Sequence, residues 1–140
     1  MGIRSNLWCA AAVLASFAAD AAGAVNANQE VPFRLVQELI VADGSIEGGH
    51  RVSILIDTGA SCTVISERQV AKLNLPIMPY NTSFVAPGRK AERPMAVVRD
   101  ISLGPIMTSR SCMVSEIPIP GVDLIIGLNV LRQHSFTIDL

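Results

Sequence analysis

Hydrophobic positions fall into many short runs, cut by glycine, proline and acidic residues. In Val52-Ser53-Ile54-Leu55-Ile56 the residues are β-branched and apolar, with Ile54 and Ile56 spaced as core positions of one strand. The run stops at Asp57-Thr58-Gly59-Ala60-Ser61, and Thr63-Val64-Ile65-Ser66 resumes an extended pattern. Upstream, residues 25–32 are polar and aperiodic and predict a flexible lead-in, after which Phe33 to Val41 reads as a strand. Asp43-Gly44 and Gly48-Gly49 are turn signals that return the chain into the Val52 strand. Ser66 is an N-cap candidate ahead of the helix formers Glu67 to Leu73, and Asn74-Leu75-Pro76 stops that helix. Thr82 to Ala86 and Met95 to Val98 are extended, and Pro87-Gly88-Arg89-Lys90 between them predicts a polar-tipped hairpin. Ile101 to Leu103 and Met107 to Val114 form a further strand pair meeting at Gly104-Pro105. Beyond Pro118, Pro120 and Gly121, Val122 to Ile126 is a second buried-strand pattern ending in Gly127. A helix-like stretch from Leu128 to Gln133 and a last extended run from Phe136 to Leu140 follow. Many short strands, one or two short helices and Gly/Pro turns predict a mostly β domain, a closed or partly closed barrel.

Composition refines that picture in two places. A length of 140 residues fits one domain, and 50% hydrophobic with 16% charged residues excludes a disordered chain. Part of that hydrophobicity lies outside the core pattern, in residues 1–24. Arg4, the apolar run from Leu7 to Ala19 and the small residues Ala22-Gly23-Ala24 read as a secretory signal peptide with its cleavage site. The run is too short to anchor in a bilayer. The expected organisation is therefore a signal peptide over 1–24, a lead-in over 25–32 and one domain over 33–140, in an exported protein that is periplasmic or secreted. A net charge of −1 with scattered basic residues argues against a nucleic-acid partner. An oxidising compartment permits a disulfide between Cys62 and Cys112, with two buried thiols as the alternative. His50, in a glycine-rich turn, and His134, past the last helix, read as solvated residues, since neither has metal-ligand spacing around it. No metal and no cofactor are expected.

Asp57 is the residue with chemical promise. An acid is costly to bury ionised, yet this one stands where an apolar strand meets a sharp turn. Such a position suits a catalytic carboxylate, and it equally suits a strand ending in an Asp-x-Gly turn.

Asp57-Thr58-Gly59-Ala60-Ser61, Thr63-Val64-Ile65-Ser66, Ile125-Ile126-Gly127 with its helix, and the closing strand together resemble the retropepsin-like aspartic proteases. The resemblance runs over most of the chain after about residue 33. It implies a retropepsin-like closed barrel and an aspartic endopeptidase, with Asp57 as the catalytic acid and Thr58, Gly59 and Ala60 as its active-site turn. Ile126 and Gly127 would support that turn from behind. Carboxylate-driven peptide hydrolysis needs two acids sharing one proton, a case the aspartic proteases themselves exemplify. The chain holds no second Asp-Thr/Ser-Gly, so the resemblance implies a homodimer with one Asp57 from each copy. The hairpin carrying Phe84, Val85, Pro87, Gly88 and Arg89 stands where the family has its flap, with fewer glycines than usual. Retroviral members pair an acid two residues after the catalytic glycine with an arginine after Ile-Ile-Gly. Ser61 and Leu128 occupy those places here. The expected partner is a peptide or unfolded protein substrate. The alternative is a catalytically silent module of the same fold that binds peptides or a partner in the cell envelope.

Overall fold

The computed structural model describes residues 11–16, 29–86 and 89–140. Along the chain these form β1 (Ala11–Ser16), β2 (Gln29–Val36), β3 (Leu39–Ile46), β4 (His50–Ile56), β5 (Val64–Ser66), α1 (Glu67–Leu73), β6 (Ile77–Ala86), β7 (Arg89–Leu103), β8 (Ile106–Ser115), β9 (Leu124–Ile126), α2 (Leu128–Leu131) and β10 (Ser135–Ile138). The strands make one sheet in the order β10-β1-β2-β3-β4-β9-β5-β8-β7-β6. A further pairing of Ser45 on β3 with Ser102 on β7 joins distant members of that order, so the sheet folds back on itself. The architecture is mostly β and partly closed. No helix among the described residues is long and apolar enough to cross a membrane.

Two parallel pairings organise the centre. β4 runs parallel to β9, with Ile54, Leu55 and Ile56 opposite Leu124, Ile125 and Ile126. β5 lies antiparallel to β9 on its other side and parallel to β8. The main core gathers Ile54, Ile65, Val98, Ile101, Leu124 and Ile126, all withdrawn from solvent. Each such side chain contributes about 1.5–3 kcal/mol on burial. A second cluster of Val41, Leu55 and Val122 is flanked by Ile117, Ile119 and Ile125. β4 is thus covered on both faces. Leu55 is as buried as its neighbours, whereas Ile56, expected in the core, is only half-buried.

Local chemistry explains where the elements match the sequence pattern and where they depart from it. Helix α1 starts and stops as expected: Ser66 Oγ accepts from the Gln69 amide at 3.3 Å, and Asn74 takes the left-handed conformation that ends the helix. The predicted strand Phe33 to Val41 is instead two strands of a hairpin. Gln37 and Glu38 make its turn with φ of 51° and 66°, values usually signalled by Asn or Gly, so the sequence hides the reversal. Residues 29–32 of the expected lead-in belong to β2, where Val31 and Phe33 alternate into the core. Asp43-Gly44 is not a turn but the middle of β3, opposite Ser53 and Val52. Gly44 is there for close packing, since a Cβ would strike the Ile54 side chain and the Ser102 carbonyl. Met95 to Val98 and Ile101 to Leu103 are parts of one strand, β7, broken by a register shift at which Asp100 has φ 52°.

Residues 11–16 form a strand inside the span read as a signal peptide, paired with both β2 and β10. The remainder of that span, with its cleavage site, lies outside the described residues, as do Pro87 and Gly88 of the expected flap tip.

Candidate active site

The chain crossing at the end of β9 builds the site. Strand β4 ends at Ile56 and, because β9 runs parallel beside it, ends level with Ile126. The Asp57 amide donates to the Ile126 carbonyl at 3.1 Å, extending the pairing by one residue. The segment from Asp57 to Thr63 must then pass over the end of β9 to enter β5 on the other side. Gly127 lies directly beneath that crossing. A Cβ placed on it would come within 2.5 Å of the Cys62 carbonyl oxygen and 2.7 Å of that of Ala60, so no larger residue fits without moving the turn. The Leu128 amide, opening α2, donates to the Ala60 carbonyl at 2.8 Å and ties the helix to the same turn.

Within the turn, the Gly59 amide donates to Asp57 Oδ1 at 2.8 Å, and the Ala60 amide to the Asp57 carbonyl at 3.3 Å. The first bond fixes one carboxylate oxygen against the backbone. Asp57 is half-buried, while Thr58 and Gly59 are exposed, so the turn stands at an accessible surface. Asp57, Thr58, Gly59, Ala60, Ile126 and Gly127 therefore lie together at one crossing. Alternation along β4 puts Leu55 on the same face as Asp57, and Ile125 is the register partner of Leu55.

A brace missed in the sequence holds this arrangement. Thr63 is fully buried, and its Oγ1 donates to Asn129 Oδ1 at 2.9 Å, joining the return of the active-site segment to α2. The Thr63 carbonyl also accepts from the Met113 amide at 2.9 Å. Ser61 is exposed and Leu128 is 41% exposed, so the neutral Thr63–Asn129 pair is the buried side-chain link between the turn and α2 among the described residues.

A second polar centre sits at the opposite end of the β4–β9 pair. Asp123, 9% exposed, accepts from the Ser53 amide at 3.1 Å, from Gln69 Nε2 at 2.9 Å and from the Arg68 guanidinium. Burial alone would raise its carboxyl. The bonds from Gln69, Ser53 and Arg68, together with the Arg68 charge, outweigh that and hold it below the usual carboxylate range. His50 is not merely solvated: its Nε2 lies 3.1 Å from Gln69 Oε1, which completes a chain from β4 through α1 to Asp123. An acid inside the apolar Val122 to Ile126 run was the available signal, because a buried carboxylate requires partners.

Cys62 and Cys112 are free thiols in this structure. Burial pushes Cys112 up to about 12, assisted by Cys62 and opposed by Arg110. Cys62 is also raised by burial, against a hydrogen bond with Ser61. Neither is poised as a nucleophile. The Phe84, Val85 and Arg89 positions lie in the β6–β7 ladder, with Phe84 opposite Ala91, Val85 opposite Lys90 and Ala86 opposite Arg89.

Residues 42–133 match the family described as "gag-polyprotein putative aspartyl protease". The chain belongs to this aspartyl protease family. The match begins in β3 and ends just past α2, so it contains both strands of the β4–β9 pair and the whole Asp57 turn. Among solved structures, the chain resembles EIAV protease complexed with the inhibitor HBY-793, at 22% identity and a TM-score of 0.52, over 66% of this chain and 84% of that one. It also resembles a retropepsin-like aspartic protease from Rickettsia conorii, at 10% identity and a TM-score of 0.56, over 76% and 89%. At these identities the likeness establishes the retropepsin-like fold of this aspartyl protease family member. A comparison with the curated proteins gives no match.

Proposed function

We propose that the chain is an exported aspartic endopeptidase, active as a homodimer in which two Asp57 carboxylates share one proton. The observation that carries this reading is the Asp57 turn itself. It is an acid at the end of a parallel strand pair, with one oxygen bonded to the Gly59 amide and the group left accessible. Family membership supports the same chemistry. One copy provides a single Asp57, so a second copy must supply its partner acid. Close like charges then separate the two ionisations, leaving one carboxylate to activate water and one carboxylic acid to polarise the scissile carbonyl.

The substrate is an extended segment of unfolded protein, held by strand-like backbone bonds. Apolar side chains are expected to flank the cut. The β6–β7 hairpin acts as the flap that closes over the bound segment. Residues 1–24 direct export to the periplasm or beyond.

Purified protein incubated with denatured casein across pH tests the reading. Hydrolysis is expected at mildly acidic pH, where one acid of the pair keeps its proton. Asp57→Asn is expected to reduce it by about 10³-fold or more. Undiminished cleavage by that variant overturns the mechanism. Absence of cleavage with retained peptide binding favours the silent binding module instead.

A further inference from the structure

Two hairpin turns contain a glutamate at positive φ, and their carboxylates are used differently. At the β3–β4 turn Glu47 has φ 48°, and its carboxylate accepts from the Arg99 amide at 2.5 Å. At the β2–β3 turn Gln37 and Glu38 have φ of 51° and 66°, and both are exposed. Among the described residues the Glu38 carboxylate takes no hydrogen bond and no ion pair. Arg34, the nearest basic residue along the chain, is engaged by Asp43 and Ser53 instead. Asparagine or glycine would hold this two-residue turn with less strain. Strain kept without an internal partner points to a use outside the fold.

The turn lies at the reactive end of the sheet. β3 and β4 pair antiparallel, with Val41 opposite Leu55. One step on, Ile40 and Ile56 both pack against the main core, so the alignment persists past the last paired residues. A second step sets Leu39, 37% exposed, beside Asp57. Leu39 also pairs with Val36 across the turn. Paired strands stand about 5 Å apart and consecutive Cα atoms about 3.8 Å, so the Glu38 backbone lies within about 10 Å of that of Asp57. Asp57 therefore has the end of β9 on one side and the start of β3 on the other.

We propose that the β2–β3 turn is a specificity site that selects a basic substrate side chain, with Leu39 under its methylenes and Glu38 against its cation. The inference rests on the reading of the chain as a homodimeric endopeptidase and narrows its substrate class. A lysine or arginine suits both residues, since its stem is apolar and its head charged. In an extended chain, a residue two or three positions from the cut is about 7–10 Å away from it. That span matches the reach from Asp57 to the turn, beyond the apolar residues that flank the cut. A two-fold axis repeats the turn, so one such site stands on each side of the scissile bond.

The test follows hydrolysis of matched peptides that differ only in carrying arginine, leucine or glutamate two or three residues from the cut. Wild type is expected to favour arginine about fivefold in kcat/KM, chiefly through KM, as an exposed ion pair allows. The preference should shrink towards unity in about 1 M salt. Glu38→Gln is expected to abolish it, and Glu38→Lys to transfer it to the glutamate peptide. Glu38→Gly relaxes the backbone, so it should raise the urea midpoint while losing the preference. Wild type without a preference for arginine, or a preference that survives Glu38→Gln or Glu38→Gly, overturns the specificity site while sparing the protease. No hydrolysis of any peptide by any of the four proteins overturns both.

Discussion

Two aspartates at opposite ends of one strand pair have been given opposite environments. Asp123 precedes β9, is 9% exposed, and accepts from Ser53, Gln69 and Arg68. Asp57 follows β4, is half-buried, and among the described residues its carboxylate takes one hydrogen bond, from Gly59. The first carboxylate is surrounded by donors, so its charge is spent on joining β4, α1 and β9. The second is oriented by one backbone amide and otherwise left available. One carboxylate thus ties three elements together, while the other is held at a turn by a single backbone amide.

The contrast predicts opposite outcomes for the two substitutions. Asp57→Asn is expected to abolish hydrolysis while leaving stability within about 0.5 kcal/mol, because an amide oxygen can still accept from Gly59. Asp123→Ala leaves the Ser53 amide and the Gln69 side chain without their acceptor, and is expected to lower stability by about 3 kcal/mol. Urea titrations of both variants, read by circular dichroism, check this. Equal loss of stability in the two variants breaks the comparison.

Acidification sharpens it. The Asp123 carboxyl is depressed in the folded chain, whereas in the unfolded chain it titrates near 3.9. Its contribution is therefore complete above the unfolded value and is lost as pH falls through the folded one. His134 has the opposite problem. Burial, and then Arg110, lower its affinity for a proton, so below about pH 6.5 the unfolded chain binds a proton that the folded chain resists. Stability is expected to decline gently from about pH 6.5 and more steeply below about pH 4. Asp123→Asn should remove the lower limb alone, as urea midpoints measured across pH will show.

Gly127→Ala probes the reactive end without touching a carboxylate. The added methyl meets two backbone carbonyls, which cannot rotate away as a side chain could. A loss of about 2 kcal/mol is expected from overpacking. Displacement of the Asp57 turn should lower kcat about tenfold, with a smaller change in KM. Wild-type kinetics from this variant refute the view that the crossing sets the carboxylate's position.

The reactive end was the more legible of the two in the sequence. Asp57-Thr58-Gly59 and Ile126-Gly127 are contiguous strings whose residue types carry their own reasons: an acid, a bend and a close approach. Asp123 signals that it needs partners but not which, and Thr63 signals nothing; Gln69 and Asn129 lie 54 and 66 positions away, which one sequence does not pair. Strand existence was similarly visible from alternation, while several boundaries were not. Gln37 and Glu38 reverse the chain without a turn residue, and Gly44 imitates a turn while serving packing in β3. Turn chemistry misleads wherever the tertiary neighbour, rather than the local backbone, dictates the glycine.

The smallest expected effect concerns the Thr63–Asn129 brace. Thr63→Val keeps the shape of a fully buried side chain but removes the hydroxyl donor, leaving Asn129 Oδ1 without that bond. A loss of about 1 kcal/mol is expected. Lost side-chain packing would give the same figure, so a double-mutant cycle with Asn129→Leu is the decisive measurement. If the hydroxyl acts through Asn129, the two single losses exceed the double loss by about 1 kcal/mol. Additive losses mean that α2 is held to the active-site turn by the Leu128–Ala60 backbone bond alone. In that case the neutral pair contributes nothing specific to positioning Asp57, and the reactive end depends on backbone geometry throughout.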